Sequence, residues 1–237
     1  MAHIPKGGML MKNKLMKIYL YILGIPKTIY FNLKYFKIKD AIKLPILVSH
    51  RVYLMKSEGK ILIDRSVKIK PGMVKLGFGE VGIFDQHKSR SIWQVSGIVV
   101  FKGKAAIGHG FKISVGPRGK LTLGNNFLMT AESQIVCHKE IEFGDNVLMS
   151  WENLIMDTDF HIIKDDLGNV LNSDKKILIG NHVWIGCRCT ILKGTKIGNN
   201  NIIAANSLIT GDFSKNERVI IGGNPAKIIK TNVDWDY

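Results

Sequence analysis

The sequence predicts a mainly β fold: a parallel β-helix solenoid, preceded by a basic, helical N-terminal arm and closed by a short C-terminal cap. Three observations carry this. Isoleucine recurs every six positions from Ile179 (Ile179, Ile185, Ile191, Ile197, Ile203, Ile209), in a chain where it makes up 33 of 237 residues. Five further matches in phase would arise by chance on the order of once in ten thousand. The positions two before each Ile (Ile177, Val183, Cys189, Thr195, Asn201, Ser207) and one after (Gly180, Gly186, Leu192, Gly198, Ala204, Thr210) are mostly small or β-branched. Third, the beat stops between Ile155 and Ile177, at a stretch rich in Asp and containing a His.

An α-helix cannot produce a six-residue step, which drifts right round a 3.6-residue turn. A flat strand would require apolar residues between the beats. A chain that turns a corner every six residues, pointing one apolar side chain inward on each flat, satisfies the pattern. Three flats close a triangular coil of about 18 residues, and stacked coils form parallel sheets. Gly and Asn at the corners suit backbone with positive φ.

In chain order, residues 1–60 form the arm. They hold twelve Lys/Arg against Asp40 and Glu58, a net of +10 within the formal +15 of the whole chain. "LMKIYLYILGIPKTIYFNLKYFKIK" (Leu15 to Lys39) interleaves the lysines with Ile, Leu, Tyr and Phe. Its longest uncharged run, Ile18 to Pro26, is far short of the roughly 20 residues a membrane span requires. No small-residue cleavage site follows it, so no secretory signal is expected. Two compatible readings remain: a helix packed on the solenoid's end, or an amphipathic arm on an anionic membrane surface. Nucleic acid is not expected as a partner, because no recognition motif accompanies the charge. The opening "MAHIPKGGM" carries no structural signal, and Met9 is a second candidate start.

Residues 61–212 are read as the solenoid, of roughly six or seven coils. The beat runs back through Ile155, Met149, Phe143, Ile135, Met129, Leu123, Leu121, Ile113 and Ile107, with eight-residue steps at "CHKE" (Cys137 to Glu140) and "GPRG" (Gly116 to Gly119) read as bulged corners. Before about residue 105 only fragments such as Ile63 and Ile69 survive. Residues 213–237 are read as the cap. Three cysteines argue against a disulfide framework and for a reducing, cytoplasmic compartment, peripheral to the inner face of the plasma membrane if the arm lies on lipid. Cys189 falls on an inward position and Cys187 on an outward one.

The interruption, residues 156–177, is the candidate functional element. It carries Asp157, Asp159, His161, Asp165 and Asp166 in an otherwise acid-poor chain. Asp157 or Asp159 accepting a proton from one imidazole nitrogen of His161 would leave the other free as a general base. Phe160 and Ile162 are expected to anchor the loop. Trp184 lies one residue before an inward Ile and should point outward, into a cleft.

"IGNHVWIG" (Ile179 to Gly186), "KGTKIGNNNIIAANSLIT" (Lys193 to Thr210) and "IIGGNPAKIIK" (Ile220 to Lys230) resemble the hexapeptide-repeat acyltransferases. The resemblance covers roughly residues 60–230, and the loop is similar to that of capsule and lipopolysaccharide sugar O-acetyltransferases. It implies a left-handed helix, acetyl-CoA as donor, and a homotrimer with each site between two subunits. It also implies His161 as the base, early in a loop after the "GDN" coil. By the same resemblance the coenzyme groove includes Trp184, Gly186, Cys187, Ala204, Ala205 and Thr210, with Lys227 and Lys230 near the coenzyme phosphates. Where the family often has an asparagine near the acceptor, this chain has Thr130, Ala131 and Glu132. Acceptor contacts are therefore assigned to Glu132, Glu152 and a sugar-stacking Trp151.

The expected activity is acetyl transfer to a hydroxyl of a surface polysaccharide or its lipid-linked precursor. A free sugar, amino sugar, serine or antibiotic is the alternative acceptor, and a non-catalytic scaffold a weaker one. No metal is expected: His109, His138, His161 and His182 form no close pair of the kind a three-imidazole zinc site requires.

Overall fold

The computed structural model describes residues 6–236, with side chains from residue 15 onward; "MAHIP" at the start lies outside the described residues. Helix α1 (Lys6–Tyr35) and the short α2 (Ile38–Ala41) precede a three-sided parallel solenoid. Sheet A stacks Ile46–Val48, Val74–Leu76, Ala105–Ile107, Phe127–Met129, Leu148–Met149, Trp184–Ile185, Ile202–Ile203 and Val219–Gly223. Sheet B runs from Val52–Ser57 to Leu208–Ile209 and sheet C from Lys60–Ile63 to Asp212–Phe213, seven strands each. The chain passes A to B to C and back to A, so every neighbouring pair within the solenoid is parallel. Registers place residues twenty apart (Leu128 on Leu148) or eighteen apart (Trp184 on Ile202) directly over one another.

The beat residues fill the interior. Ile185, Ile191, Ile203 and Ile209 are fully buried, and Ile179 and Ile197 nearly so. The small residues two before each of them are buried as well. One polar member of that set, Asn201, uses its amide at the corner: Oδ1 accepts from Val219 N at 3.1 Å and Nδ2 donates to the Asn216 carbonyl at 2.7 Å.

The corners leading from sheet C to sheet A explain the recurring "GNN", "GDN" and "GNH". Each Asn or Asp accepts, on its side-chain oxygen, the backbone N–H of the coil before it: Lys104 to Asn125, Asn125 to Asp145, Asp145 to Asn181, Asn181 to Asn199. The following residue takes positive φ, as at Asn126, Asn146, His182 and Asn200. The preceding glycine is set by close approach between coils: a Cβ on Gly144 would lie 2.5 Å from Asn181 Oδ1 and 2.7 Å from the Gly180 carbonyl. Gly144→Ala is therefore expected to cost about 1–3 kcal/mol by overpacking. Gly82→Ala, where a Cβ would meet nothing within 4 Å, is the neutral control; equal melting temperatures for the two variants would count against the corner argument.

The solenoid begins earlier than its repeat. Ile46–Val48 already pairs with Val74–Leu76, whereas the beat predicts a start near residue 60. Excursions over 64–73 and 77–90 break the spacing there, and the buried filler is varied, including a fully buried Trp93. Ile69 is half-buried in one excursion and fills no inward position.

Helix α1 covers the open edge of sheet A. Thr28 and Asn32, one turn apart and buried, act as a substitute strand. Thr28 Oγ1 accepts from Val48 N at 2.9 Å, Asn32 Oδ1 accepts from Ile46 N at 3.2 Å, and Asn32 Nδ2 donates to the Ile46 carbonyl at 2.7 Å. Each edge group left unpaired would cost about 1–3 kcal/mol. Phe31 packs edge-on to Trp93 at 5.6 Å between centroids. The packed-helix reading of the arm is thus realised. Its opposite face is not covered: Leu15, Ile18, Ile22, Ile25, Ile29 and Leu33 are 42–63% exposed. Among the described residues no helix is long and apolar enough to cross a membrane. At the other end Ala226–Thr231 folds back antiparallel on Val219–Gly223 and closes sheet A.

Candidate active site

The interruption leaves the solenoid at the corner between sheets B and C, after Leu154–Met156, and rejoins it at Ile177–Ile179. Its base is built on Asp157. This side chain is fully buried, and its two oxygens accept the backbone N–H groups of His138 (2.7 Å), Lys139 (2.9 Å) and Glu140 (2.8 Å), the bulged corner of the preceding coil. Asp157 therefore does not orient His161, contrary to the expectation above: its lone pairs are spent on that corner.

Asp159 is committed as well. Lys193 Nζ donates to its Oδ2, and Asn172 Nδ2 donates to the same oxygen at 2.8 Å. The Lys193 ammonium, followed by the Asn172 amide, holds the Asp159 carboxyl below its ordinary range. Lys193 also donates to the Asn172 carbonyl, and Asn172 Nδ2 to the His161 carbonyl at 2.8 Å. These contacts fix the His161 backbone. Phe160 takes positive φ (61°), and His161 N donates to the Asp159 carbonyl at 2.7 Å. A Lys164–Val170 bridge and an Asp165–Asn169 turn complete the excursion. Lys193 and Asn172 carry no local signal in the sequence, since their partners lie 34 and 13 residues away.

The His161 side chain is exposed, so within one chain it is held through its backbone. Phe160 packs edge-on against His138 at 4.8 Å yet is 58% exposed, and Ile162 and Leu167 are 68% and 87% exposed. Ile162 does not anchor the loop in the single protomer.

The remaining candidates divide between edges of the prism. Gly186, Cys187, Ala204 and Ala205 come together at the corner from sheet A to sheet B, where Gly186 N donates to the Ile203 carbonyl and Asn206 N to the Cys187 carbonyl, both at 2.9 Å. Gly186 has a packing role there, since a Cβ would lie 2.8 Å from Ala205 N. Trp184 faces outward on sheet A, 37% exposed, its indole N–H donating to Ser150 Oγ at 3.2 Å. Thr210 is exposed at the B-to-C corner, the edge that carries His161. Lys227 and Lys230 are exposed on the C-terminal antiparallel strand. Gly186, Cys187, Ala204 and Ala205 are thus separated from His161, within one chain, by the width of sheet B, whereas Thr210 shares the edge of His161.

The acceptor candidates lie along the A-to-B edge, but their carboxylates are engaged. Glu132 accepts from Ser89 Oγ at 2.5 Å and pairs with Lys112 at 3.3 Å; Ser89 Oγ also contacts His109 Nδ1 at 2.9 Å. Glu152 pairs with Arg188 at 2.7 Å. Neither is a free sugar ligand in this arrangement, and Trp151 stands half-buried beside them. Cys189 is buried, as its inward position predicts; burial pushes up its thiol and that of Cys137, where the Asp157 charge adds to the effect.

Comparison with known proteins agrees with this architecture. The family described as bacterial transferase hexapeptide (six repeats) matches residues 176–211. A crystal structure of the polySia-specific acetyltransferase NeuO superposes with a TM-score of 0.61 at 22% identity, covering 81% of this chain and 79% of that one. The chain has the left-handed parallel β-helix fold, and its match to the hexapeptide-repeat model is confined to the last coils. It resembles sugar O-acetyltransferases: it is 34% identical over 115 residues to galactoside O-acetyltransferase of Escherichia coli (strain K12), covering 48% of this chain and 55% of that protein. It is also 34% identical over 110 residues, 46% and 50% of the two chains, to the protein of the same organism named "Putative lipopolysaccharide biosynthesis O-acetyl transferase WbbJ". The chain spans about half the length of these curated relatives.

Proposed function

We propose that this protein is an acetyl-CoA-dependent O-acetyltransferase acting on a hydroxyl of a surface polysaccharide or its lipid-linked precursor. The observation that carries this is the interruption itself. The loop is fixed at its base by Asp157 and along its side by Lys193, Asp159 and Asn172, and it presents the His161 imidazole at a solenoid edge. In the proposed step His161 takes the acceptor hydroxyl's proton as the oxygen attacks the thioester carbonyl. The C–O bond forms, the C–S bond breaks, and coenzyme A leaves as its thiol. Backbone N–H groups at a coil edge are the simplest donors to the oxyanion. Transfer is direct, without an acyl-enzyme: Cys137 and Cys189 are buried with their thiols pushed up, and no activated Ser or Cys motif surrounds the half-buried Cys187.

The separation of His161 from Gly186, Cys187, Ala204 and Ala205 supports a site completed by a second subunit, as in a homotrimer. The exposed Ile162, Leu167 and Leu171 on the loop are then buried against a neighbour. Lys227 and Lys230 reach the coenzyme phosphates, as point charges. The outward apolar face of α1 and the basic arm support peripheral attachment to an anionic membrane, bringing the enzyme to a lipid-linked acceptor. Release of free coenzyme A from acetyl-CoA, measured against a panel of surface glycans, lipid-linked glycans and free sugars, tests the reading. Acceptor-stimulated release is expected with a glycan. Stimulation only by free sugars would replace the acceptor class, and absence of coenzyme binding would overturn the reading.

A further inference from the structure

At the N-terminal end of the A-to-B edge, α1 and the first two coils enclose a pocket of about 520 Å³ lined by Lys27, His50, Arg51, Lys88, Ser89 and Arg90 together with Val52, Tyr53 and Leu54. Five of these side chains are basic, and no Asp or Glu lines it. We propose that this pocket is a binding site for a phosphoryl or diphosphoryl group.

The cations are assembled rather than scattered. Lys27 is held by donating to the His50 and Val52 carbonyls, both at 2.6 Å. Arg90 lies over the Tyr53 ring, its guanidinium carbon 4.4 Å from the centroid. Arg51 follows the buried end of sheet A's first strand. Among the described residues no carboxylate pairs directly with Lys27, Arg51, Lys88 or Arg90; Glu132 lies behind Ser89, which donates to it. Lys27 is pushed below its ordinary range by burial and by Arg90, and His50 by burial and by Arg51, Lys27 and His87. Two polar side-chain atoms, Arg51 Nε and His50 Nδ1, are buried with no hydrogen-bond partner within the chain. A fold that gathers like charges bears a cost that an anion of matching shape lowers. Two guanidinium groups favour a tetrahedral oxyanion, which each can bind through paired N–H donors. With Lys27 and Lys88 also present, a multiply charged phosphoryl group matches the field better than a single carboxylate.

The surroundings indicate where that group comes from. Leu23 and Tyr30, one turn either side of Lys27 on α1, are exposed and lead from the pocket's rim into the helix's apolar face. A lipid phosphate could seat its headgroup among the cations while its chains lie along that face; a soluble phosphate ester would use the pocket alone. The pocket lies four coils from Gly186 on the same edge, about 20 Å at the strand spacing of parallel sheets. The phosphoryl assignment itself stands without the acetyl-transfer reading.

The test is calorimetric titration of the full chain with inorganic pyrophosphate. Arg51→Gln/Arg90→Gln is compared with Lys56→Gln/Arg65→Gln, which removes the same charge from exposed positions outside the pocket. Circular dichroism verifies that both variants fold. At least a tenfold loss of affinity in the pocket variant, with the control within twofold of wild type, is expected. Equal weakening in both variants, or no binding by the wild type, overturns the proposal. A second arm measures co-sedimentation with phosphatidylcholine vesicles, with and without phosphatidate. Phosphatidate-dependent binding that pyrophosphate displaces assigns the site to a lipid headgroup. Pyrophosphate binding without vesicle preference assigns it to a soluble phosphate ester.

Discussion

His161→Ala is expected to lower acceptor-stimulated turnover by about 10²- to 10⁴-fold, the usual contribution of a general base, while coenzyme affinity stays within about twofold of wild type. An acceptor hydroxyl attacks a thioester well only as its proton departs, and the two aspartates flanking His161 are already engaged. Asp157 is buried against three N–H groups, and Asp159 is held ionised against Lys193 and Asn172. Coenzyme affinity should be spared because Gly186, Cys187, Ala204 and Ala205 lie on a different edge of the same chain. A His161→Ala enzyme retaining a third or more of wild-type turnover would remove the base from this position. Equal loss of turnover and coenzyme binding would show instead that the loop had collapsed.

The second large effect is on folding. Asp157→Ala removes a buried carboxylate that accepts three backbone N–H groups. Hydrogen bonds to charged groups contribute about 1.5–3 kcal/mol each and do not add fully. A loss of about 3–5 kcal/mol is therefore expected, which for a chain of this size lowers the melting temperature by roughly 10 °C. Asp157→Asn should fall between the two, keeping one acceptor oxygen but turning an N–H₂ group toward a backbone donor. Limited proteolysis should locate the damage at the corner formed by Cys137 to Glu140 and at the loop after it. A shift under 2 °C for the alanine variant would refute this role. The experiment also separates the two aspartates, since Asp159→Ala releases an exposed ion pair of the kind that contributes little to global stability.

The sequence by itself determined the solenoid. Its inward isoleucines, its Gly-Asn corners and the position of its interruption are local repeats. A coil that must turn every six residues writes that period into whichever residues fill it. Ile179 through Ile209 are all buried as their spacing requires, and Cys189 with them. The first two coils were less legible because their core is filled by Trp93, Val95, Val99 and Phe101, between excursions that destroy the period. Helix α1 could be read as a helix, but not which of its polar residues would cap the sheet. Thr28 and Asn32 gain that role only because the open edge of Ile46–Val48 lies against them.

Only the tertiary structure decided the fate of the charges. Asp157, Asp159, Glu132 and Glu152 all look equally available in a linear chain. In the fold each is taken by a partner between 17 and 43 residues away. The split of Gly186, Cys187, Ala204 and Ala205 from His161 has the same origin. Spacing along the chain fixes which flat or corner a residue occupies, whereas which side chains meet depends on how whole coils are packed. Periodicity is a short-range property that burial enforces coil by coil. Ion pairing and site assembly are long-range, set by which side chains the finished stack happens to bring within hydrogen-bonding distance.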